Sequence, residues 1–277
     1  MKIAALQTVS TPDVARNLET AARLIAQAAG DGAQLVALPE YFCLMGLTDT
    51  DKLTHAEVPG DGPIQRFLES QAKEHGLWII GGTLPLRGDE RDHARNACCV
   101  YAPDGRLAAR YDKIHLFNYD NGRERYEEAR VLAAGDKPVA VEAAGLLGFE
   151  GAAAKPLRIG LSICYDLRFP ELYRQLMDPP CDLISVPAAF TYTTGRAHWE
   201  LLLRARAVEN QCYVIAAAQG GQHENGRRTW GHSMIVDPWG EVLAVRAEGE
   251  GVVLADIDAA RLVAVRTQLP ALAHRKL

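Results

Sequence analysis

The chain has 277 residues, of which 48% are hydrophobic, enough to bury a large core in a single domain over 1–277. Its formal net charge is -5 at pH 7 and it has no long basic run, which disfavours nucleic acid and anionic membranes as partners. It has no apolar segment long enough to span a bilayer and no signal-peptide pattern at its start, so we expect a cytoplasmic protein with a small-molecule partner.

Short apolar runs separated by turn residues recur along the chain and predict strands with helices between them. The predicted strands are residues 2–7, 34–38, 77–81, 97–101, 157–163, 183–186, 213–218, 233–236, 242–246 and 252–257. The predicted helices are residues 14–29, 64–75 (stopped by Gly76), 170–177 and 197–210. Many of the strands are apolar throughout, as in a sheet covered on both faces, so the alternation indicates an α/β fold.

Two tight turns interrupt this alternation, at residues 102–105 and 237–240. Each contains Pro and Gly at positions that favour turn dihedrals, and each predicts a hairpin. Because a hairpin joins antiparallel strands, the sheets should be mixed. A short basic tail begins at about residue 269.

The six cysteines lack a C-x-x-C pattern, which argues against a zinc site. Without a secretion signal, a disulfide framework is not expected either, and buried reduced thiols are the ordinary alternative. Cys164 has a more specific setting, between the apolar run 157–163 and the apparent start of a helix. Its side chain should emerge at the carboxyl end of a strand, where nearby backbone N–H groups would stabilise a thiolate or an oxyanion.

A thiol with a pKa of about 8.5 needs a base or a cation beside it to act as a nucleophile. One arrangement would pair the thiol with a histidine, for which His115, His198 and His232 are the candidates. In a second arrangement the partners are Glu40, which ends the run AQLVALPE, and Lys113, which ends GRLAARYDK. These two side chains would supply a general base and a cation for an oxyanion.

Three segments, LPEYF, YDKIHLF and GLSICYDLRFPEL, resemble the glutamate, lysine and cysteine motifs of the nitrilase superfamily of carbon–nitrogen hydrolases. They occur in the family's order, and the resemblance covers nearly the whole chain. It implies a catalytic triad of Glu40, Lys113 and Cys164. It also implies a second glutamate, for which Glu128 in RYEEARVLAAGD stands in the matching place, next to Glu127.

The same resemblance implies a four-layer α-β-β-α sandwich with two mixed sheets, in which outer helices pair across a homodimer interface. No cofactor or metal is needed for the implied chemistry. Glu40 would take the thiol proton as sulfur attacks an amide carbonyl, and return it to the leaving amine. Lys113 and the backbone N–H of Tyr165 would stabilise the oxyanion, and Glu128 would orient Lys113 and the amide nitrogen.

The residues around the nucleophile resemble those of the amidase branch, since Tyr165 and Asp166 stand where nitrile-cleaving members carry Trp-Glu. The segments AAAQGG and GHSMIVDPWG resemble the Nit subgroup, whose members hydrolyse deaminated glutathione or the ω-amides of α-keto acids. We expect Arg168 and Thr194 to bind the α-keto carboxylate, although Arg168 could instead pair with Glu171 or Asp166.

Deaminated glutathione is the expected substrate within this subgroup. An ω-amidase, an N-carbamoyl amino acid amidohydrolase and a Cys–His acyl hydrolase remain alternatives. A catalytically silent binding protein is the least favoured, because every triad position is present.

Overall fold

The computed structural model describes residues 1–90, 92–147 and 155–276. The strands of this part of the chain are β1 Lys2–Gln7, β2 Leu35–Ala37, β3 Trp78–Ile80, β4 Leu84–Arg87, β5 Ala94–Tyr101, β6 Leu107–Asp112, β7 Asn118–Asp120, β8 Arg125–Glu127, β9 Ala140–Leu147, β10 Pro156–Leu161, β11 Leu183–Ser185, β12 Tyr213–Ala216, β13 Ser233–Val236, β14 Val242–Arg246 and β15 Gly251–Asp256. The α-helices are α1 Val14–Gly30, α2 Asp51–Thr54, α3 Pro63–His75, α4 Pro170–Leu176, α5 Tyr192–Asn210, α6 Ala259–Gln268 and α7 Ala271–His274. Two 3₁₀ turns cover Glu128–Arg130 and Cys164–Arg168.

Two mixed sheets make up the centre of the fold. The first has seven strands in the order β15-β1-β2-β3-β5-β4, with β6 also paired to β5. The second has six strands in the order β14-β13-β12-β11-β10-β9. In each sheet three adjacent strands are parallel, β1-β2-β3 in one and β10-β11-β12 in the other, and antiparallel strands flank them.

The two faces of β1 show how the layers pack. Ile3 and Ala5 belong to the core that lies between the sheets, whereas Ala4 and Leu6 belong to a second core together with Leu24 of α1. This alternation follows from the two-residue period of a strand, and both faces are apolar because both are covered. Helices α1 and α3 pack on the first sheet and α5 packs on the second. The fold is therefore an α-β-β-α sandwich, as the resemblance implied.

Local sequence signals set the helix ends. Asp13 accepts a hydrogen bond from the Arg16 N–H at the start of α1, and Gly76 ends α3 with a φ of 63°. Thr191 accepts from the Thr194 N–H, so α5 begins at residue 192 rather than at the predicted residue 197. This start was missed because residues 192–196 carry little apolar periodicity.

The predicted bounds 2–7, 233–236 and 242–246 are confirmed, as are both hairpin turns, where Gly105 and Gly240 each have a φ of 87°. The predicted bounds did not include β4, β6, β7, β8, β9, α2, α6 or α7. Three of these strands, β7, β8 and β9, lie within residues 118–147, and residues 148–154 lie outside the described part. No helix of the described chain has the length and hydropathy needed to cross a membrane.

Candidate active site

Cys164 lies just beyond β10, at the first residue of a 3₁₀ turn. Its φ of 48° is in the left-handed region, which non-glycine residues seldom adopt. The Cys164 N–H donates to the Pro187 carbonyl at 2.8 Å, which helps hold this conformation. Backbone strain of this kind persists only where surrounding contacts over-determine it, and it is concentrated at functional sites.

The Lys113 ammonium lies between two carboxylates and is 1% exposed. Its Nζ is 2.9 Å from Glu40 Oε1, and 3.1 and 2.8 Å from Glu128 Oε1 and Oε2. Burial alone would lower the pKa of Lys113, but the two carboxylates outweigh it and raise the pKa well above its ordinary value. Lys113 is therefore a permanent cation.

Both oxygens of the Glu40 carboxylate are fixed by donors. Oε1 accepts from Asn96 Nδ2 at 2.9 Å as well as from Lys113, and Oε2 accepts from the Ala189 N–H at 2.9 Å. Burial raises the pKa of Glu40, and Glu128 adds to the increase, although Lys113 opposes it. A raised pKa suits a group that must accept and return a proton near neutral pH.

Glu128 has the opposite balance. Burial disfavours its charge, but Lys113 and two further donors, the Tyr41 hydroxyl at 2.7 Å and a backbone N–H at 2.8 Å, outweigh burial and lower the pKa of Glu128. Two carboxylates that share one ammonium thus have pKa values pushed apart, the pattern that separates a proton carrier from a fixed anion. The adjacent Glu127 pairs with Arg125 at 3.3 Å instead.

The Cys164 thiol is protonated at rest. Burial and the Glu40 carboxylate raise the pKa of Cys164 well above its ordinary value, against the opposing charge of Lys113. At rest, burial and Glu40 therefore outweigh the groups that favour a thiolate. The thiol and the Glu40 carboxylate influence each other's pKa, so the base that would activate the thiol lies beside it.

Asp166 connects the segment after β6 to the segment after β10. Its Oδ2 accepts from the Tyr111 hydroxyl at 2.7 Å and from the Ile163 N–H at 2.9 Å. Its Oδ1 lies 3.0 Å from the His115 backbone nitrogen and 2.7 Å from His115 Nδ1. Because β6 and β10 belong to different sheets, this buried carboxylate holds together the two halves of the site.

The histidines have other partners. His115 stacks on Phe169 with ring centroids 3.7 Å apart, besides its bonds to Asp166. His198 Nδ1 is 3.4 Å from the Arg168 guanidinium, and His232 Nδ1 is 2.9 Å from the Trp230 carbonyl. Within the described residues, no histidine lines the cleft above Cys164, so the geometry gives no support to a Cys–His pair.

The cleft above Cys164 has a volume of about 680 Å³, part of it open to solvent. Tyr165, Arg168 and Thr194, the three side chains predicted to bind substrate beyond the triad and Glu128, all line it. The Thr194 hydroxyl is 2.9 Å from the Thr191 hydroxyl at the start of α5. The remaining lining residues are Glu40, Tyr41, Met45, Asp49, Lys52, Phe117, Tyr126, Glu127, Glu128, Ala189, Phe190, Thr191, Arg227, Arg228 and Thr229.

Arg168 faces aromatic rings rather than acids. Its guanidinium carbon is 5.5 Å from the Phe190 ring centroid and 5.9 Å from that of Tyr165. Across residues 1–90, 92–147 and 155–276, no carboxylate forms an ion pair with it. The alternative in which Arg168 pairs with Glu171 or Asp166 is therefore wrong, and the guanidinium is left available to an anionic ligand.

Several polar contacts of the site were not predicted from the sequence. Asn96 lies within β5 and Ala189 contributes only a backbone N–H, so neither carries a motif. Tyr41 follows Glu40 directly, and its φ of 57° turns its hydroxyl toward Glu128. Lys52 and Arg227, which lie far apart in sequence, meet at the same side of the cleft.

Comparisons with known proteins identify relatives of this chain. The profile of the carbon–nitrogen hydrolase family matches residues 2–267. A deaminated glutathione amidase of Synechocystis is 44% identical over 275 residues, covering 98% of this chain and 97% of that protein. An omega-amidase of Xenopus tropicalis is 38% identical over 278 residues, covering 99% of this chain and 95% of that protein.

Among solved structures, the C. elegans NitFhit protein superposes with a TM-score of 0.86 at 36% identity. The match covers 99% of this chain and 65% of that chain. The chain described here belongs to the carbon–nitrogen hydrolase family, and the resemblance drawn from its motifs is confirmed. It is an enzyme that hydrolyses carbon–nitrogen bonds, with the nitrilase-type sandwich of its structural relatives.

The position of Asp166 leads to a prediction about stability. Asp166→Asn should lower the free energy of unfolding by about 3 kcal/mol. The amide of asparagine cannot accept all of the hydrogen bonds that Tyr111, Ile163 and His115 donate to the Asp166 carboxylate. Tyr111→Phe removes one of them and should cost about 1 kcal/mol. Urea denaturation of the two variants measures both changes, and an Asp166→Asn protein as stable as the wild type would contradict the connecting role of this carboxylate.

Proposed function

We propose that this enzyme hydrolyses a linear amide through a thioester on Cys164, with Glu40 as general base and acid and Lys113 as the oxyanion-stabilising cation. The observation that carries the proposal is the buried Lys113 ammonium held 2.9 Å from Glu40, whose carboxylate lines the same cleft as the Cys164 thiol and raises its pKa. A base, a cation and a nucleophile in mutual contact are what acyl transfer to a thiol requires.

In the first half-reaction, Glu40 takes the thiol proton as sulfur attacks the amide carbonyl. The negative charge that develops on the carbonyl oxygen is stabilised by Lys113 and by the backbone N–H of Tyr165. Glu40 then returns the proton to the amide nitrogen, because an amine leaves poorly unless it is protonated. The carbon–nitrogen bond breaks, the amine departs and a thioester remains.

In the second half-reaction, water enters the position vacated by the amine. Glu40 deprotonates this water as it attacks the thioester, and the same two donors stabilise the second oxyanion. The carbon–sulfur bond breaks, and the proton returns to the sulfur. Glu128 does not exchange protons in this scheme, since its lowered pKa keeps it an anion that orients Lys113 and the substrate amide nitrogen.

We propose deaminated glutathione as the substrate, with the ω-amides of α-keto acids as the second candidate. The most similar of the relatives described above is named a deaminated glutathione amidase, and the omega-amidase relative matches over nearly the same length. Both substrate types share an α-ketoglutaramyl unit. Its α-keto carboxylate needs a cation, and Arg168, which lacks an acidic partner among the described residues, lines the cleft near Thr194.

A homodimer formed through outer helices and a cytoplasmic location also stay predictions. Helix α5 presents the apolar side chains Leu201 and Val208 to solvent, with 68% and 49% exposure, and Trp239 beyond β13 is 56% exposed. Exposed apolar groups of this size on an outer helix favour the dimer interface that the resemblance implies.

The nucleophile and its base are tested by trapping the thioester. In Glu40→Gln the carboxylate that helps raise the pKa of Cys164 is gone while Lys113 remains, so part of the thiol can ionise at alkaline pH without a general base. An ester analogue needs no protonation of its leaving group, so this variant should acylate slowly at alkaline pH and then fail to deacylate. Intact-mass spectrometry should find the adduct on this variant and none on Cys164→Ala. Lys113→Met should slow acylation by about 10²–10³, the typical loss for one oxyanion donor. Turnover by Cys164→Ala would exclude Cys164 as the nucleophile.

A second prediction concerns the pH dependence of kcat/KM. The base must be deprotonated, so activity should rise with pH through the pKa of Glu40, which lies above its ordinary value. Asn96→Ala removes a donor to the Glu40 carboxylate and should move this acidic limb to higher pH. An unchanged limb in a folded Asn96→Ala protein would show that another group sets it.

A third prediction concerns recognition of the α-keto carboxylate. Arg168→Met should cost about 2–5 kcal/mol in kcat/KM toward α-ketoglutaramate, and Arg168→Lys should lose less because it keeps the charge without the forked geometry. An analogue lacking that carboxylate should react poorly with the wild type and hardly worse with Arg168→Met. Equal losses for both substrates would mean that Arg168 acts only by supporting the Cys164 segment.

A further inference from the structure

A second cationic group lines the cleft, away from Arg168. Lys52 and Arg227 share one carboxylate, Asp49, whose Oδ1 is 3.4 Å from Lys52 Nζ and 2.9 Å from Arg227 Nη2. The three side chains therefore carry one net positive charge. Two segments that are distant in sequence build this group, and Asn225 joins them by donating to the Gly46 carbonyl at 2.8 Å.

The hydrogen-bonding capacity of Lys52 is largely unused. Its side chain is 10% exposed, and an ammonium has three donors, but within the described chain its hydrogen-bond partner is Asp49 at 3.4 Å. Its Nζ also lies 5.0 Å from the centroid of the Tyr41 ring. A buried ammonium with donors to spare is poorly compensated, and a ligand anion would supply the missing partner.

The position of this group relative to the reaction centre indicates which part of a substrate it faces. Lys52 lies against Tyr41, the residue next to Glu40, and Glu40 protonates the leaving nitrogen in the proposed mechanism. Arg168 lies instead over Tyr165 and Phe190, in the segment that follows the nucleophile. The two cationic sites therefore contact different parts of the cleft wall, Arg168 beside Tyr165 and Phe190 and Lys52 beside Tyr41. We assign the acyl part of the substrate to Arg168 and the leaving group to the side of Lys52.

The two candidate substrates differ in what leaves. An ω-amide such as α-ketoglutaramate releases ammonia, whereas deaminated glutathione releases a cysteinylglycine dipeptide that ends in a carboxylate. Two extended residues span at most about 7 Å, so the dipeptide carboxylate would lie no farther than about 7 Å from the leaving nitrogen, roughly the thickness of one layer of side chains. One such layer, the ring of Tyr41, lies between Lys52 and the backbone next to Glu40, with the Lys52 ammonium 5.0 Å from the ring centroid.

We propose that Lys52 and Arg227 form a second carboxylate-binding subsite, which binds the C-terminal carboxylate of a dipeptide leaving group and so selects deaminated glutathione over simple ω-amides. This inference rests on the proposed amidase function. Asp49 holds the two cations in place, and the Tyr126 ring, 4.9 Å from the Arg227 guanidinium, supports the second of them. An incoming carboxylate would receive donors from both cations.

The test compares two substrates on the same variants. Arg227→Met and Lys52→Met should each lower kcat/KM for deaminated glutathione about ten- to a hundredfold, as expected for loss of a charge-assisted hydrogen bond, and leave kcat/KM for α-ketoglutaramate unchanged. Arg227→Lys should recover part of the loss. Arg23→Met, which removes an exposed arginine paired with Glu250, is the matched control and should affect neither substrate. Equal losses on both substrates would overturn the subsite.

Binding separates failure of the subsite from failure of the proposed function. The inactive Cys164→Ala protein is titrated calorimetrically with deaminated glutathione and with its C-terminal amide. We expect about tenfold or greater preference for the free carboxylate, and loss of that preference when Arg227→Met is added. Equal affinities for the two forms would overturn the subsite. Carboxylate-dependent binding by an enzyme that turns over neither substrate would instead overturn the proposed function while the subsite stands.

Discussion

The site depends on one buried charge. An ammonium that is 1% exposed is tolerated only if anions compensate it, and Lys113 has two, Glu40 and Glu128. Both carboxylates raise the pKa of Lys113, and Lys113 in turn lowers the pKa of each carboxylate against the effect of burial. Because Glu128 also accepts from Tyr41 and a backbone N–H, it keeps its charge, and the proton exchange is left to Glu40. The division of labour between two identical functional groups therefore follows from the balance at each of them, since Lys113 and the hydrogen bonds outweigh burial at Glu128 but not at Glu40.

Neither sheet forms this arrangement alone. Glu40 and Lys113 follow strands of the first sheet, whereas Cys164 and the Ala189 N–H follow strands of the second. Their relative positions are set by contacts between the sheets, of which the buried Asp166 carboxylate is the most direct. The catalytic geometry is thus a consequence of how the two inner layers pack, and changes in that packing should reach the chemistry even where no site residue is touched.

The order of strands and helices follows from apolar periodicity, and the three strand-end residues could be identified because a strand's end is a local feature of the sequence. The contacts that tune them could not. Asn96 has the same sequence surroundings as any polar residue within a strand, and it reaches Glu40 only through the pairing of β5 in the first sheet. Asp166 was considered as a partner of Arg168 on the basis of sequence proximity, but it turns to Tyr111 of β6 and to His115 in the segment that follows β6. Such partners depend on register and packing between segments more than 50 residues apart, which a single sequence does not encode locally.

The distribution of charge in the cleft also bears on product release. The anion Glu128 and the cations Arg168, Lys52 and Arg227 all line the cleft. In the proposed mechanism Glu128 orients the substrate amide, so a neutral amide would lie beside it while the carboxylates of the substrate reach the cations. Hydrolysis would place a new carboxylate between the fixed anion Glu128 and Lys113, which already has two carboxylate partners. Like charges at short range in a buried site repel strongly, so the anion that maintains Lys113 as a cation would also favour departure of the acid product.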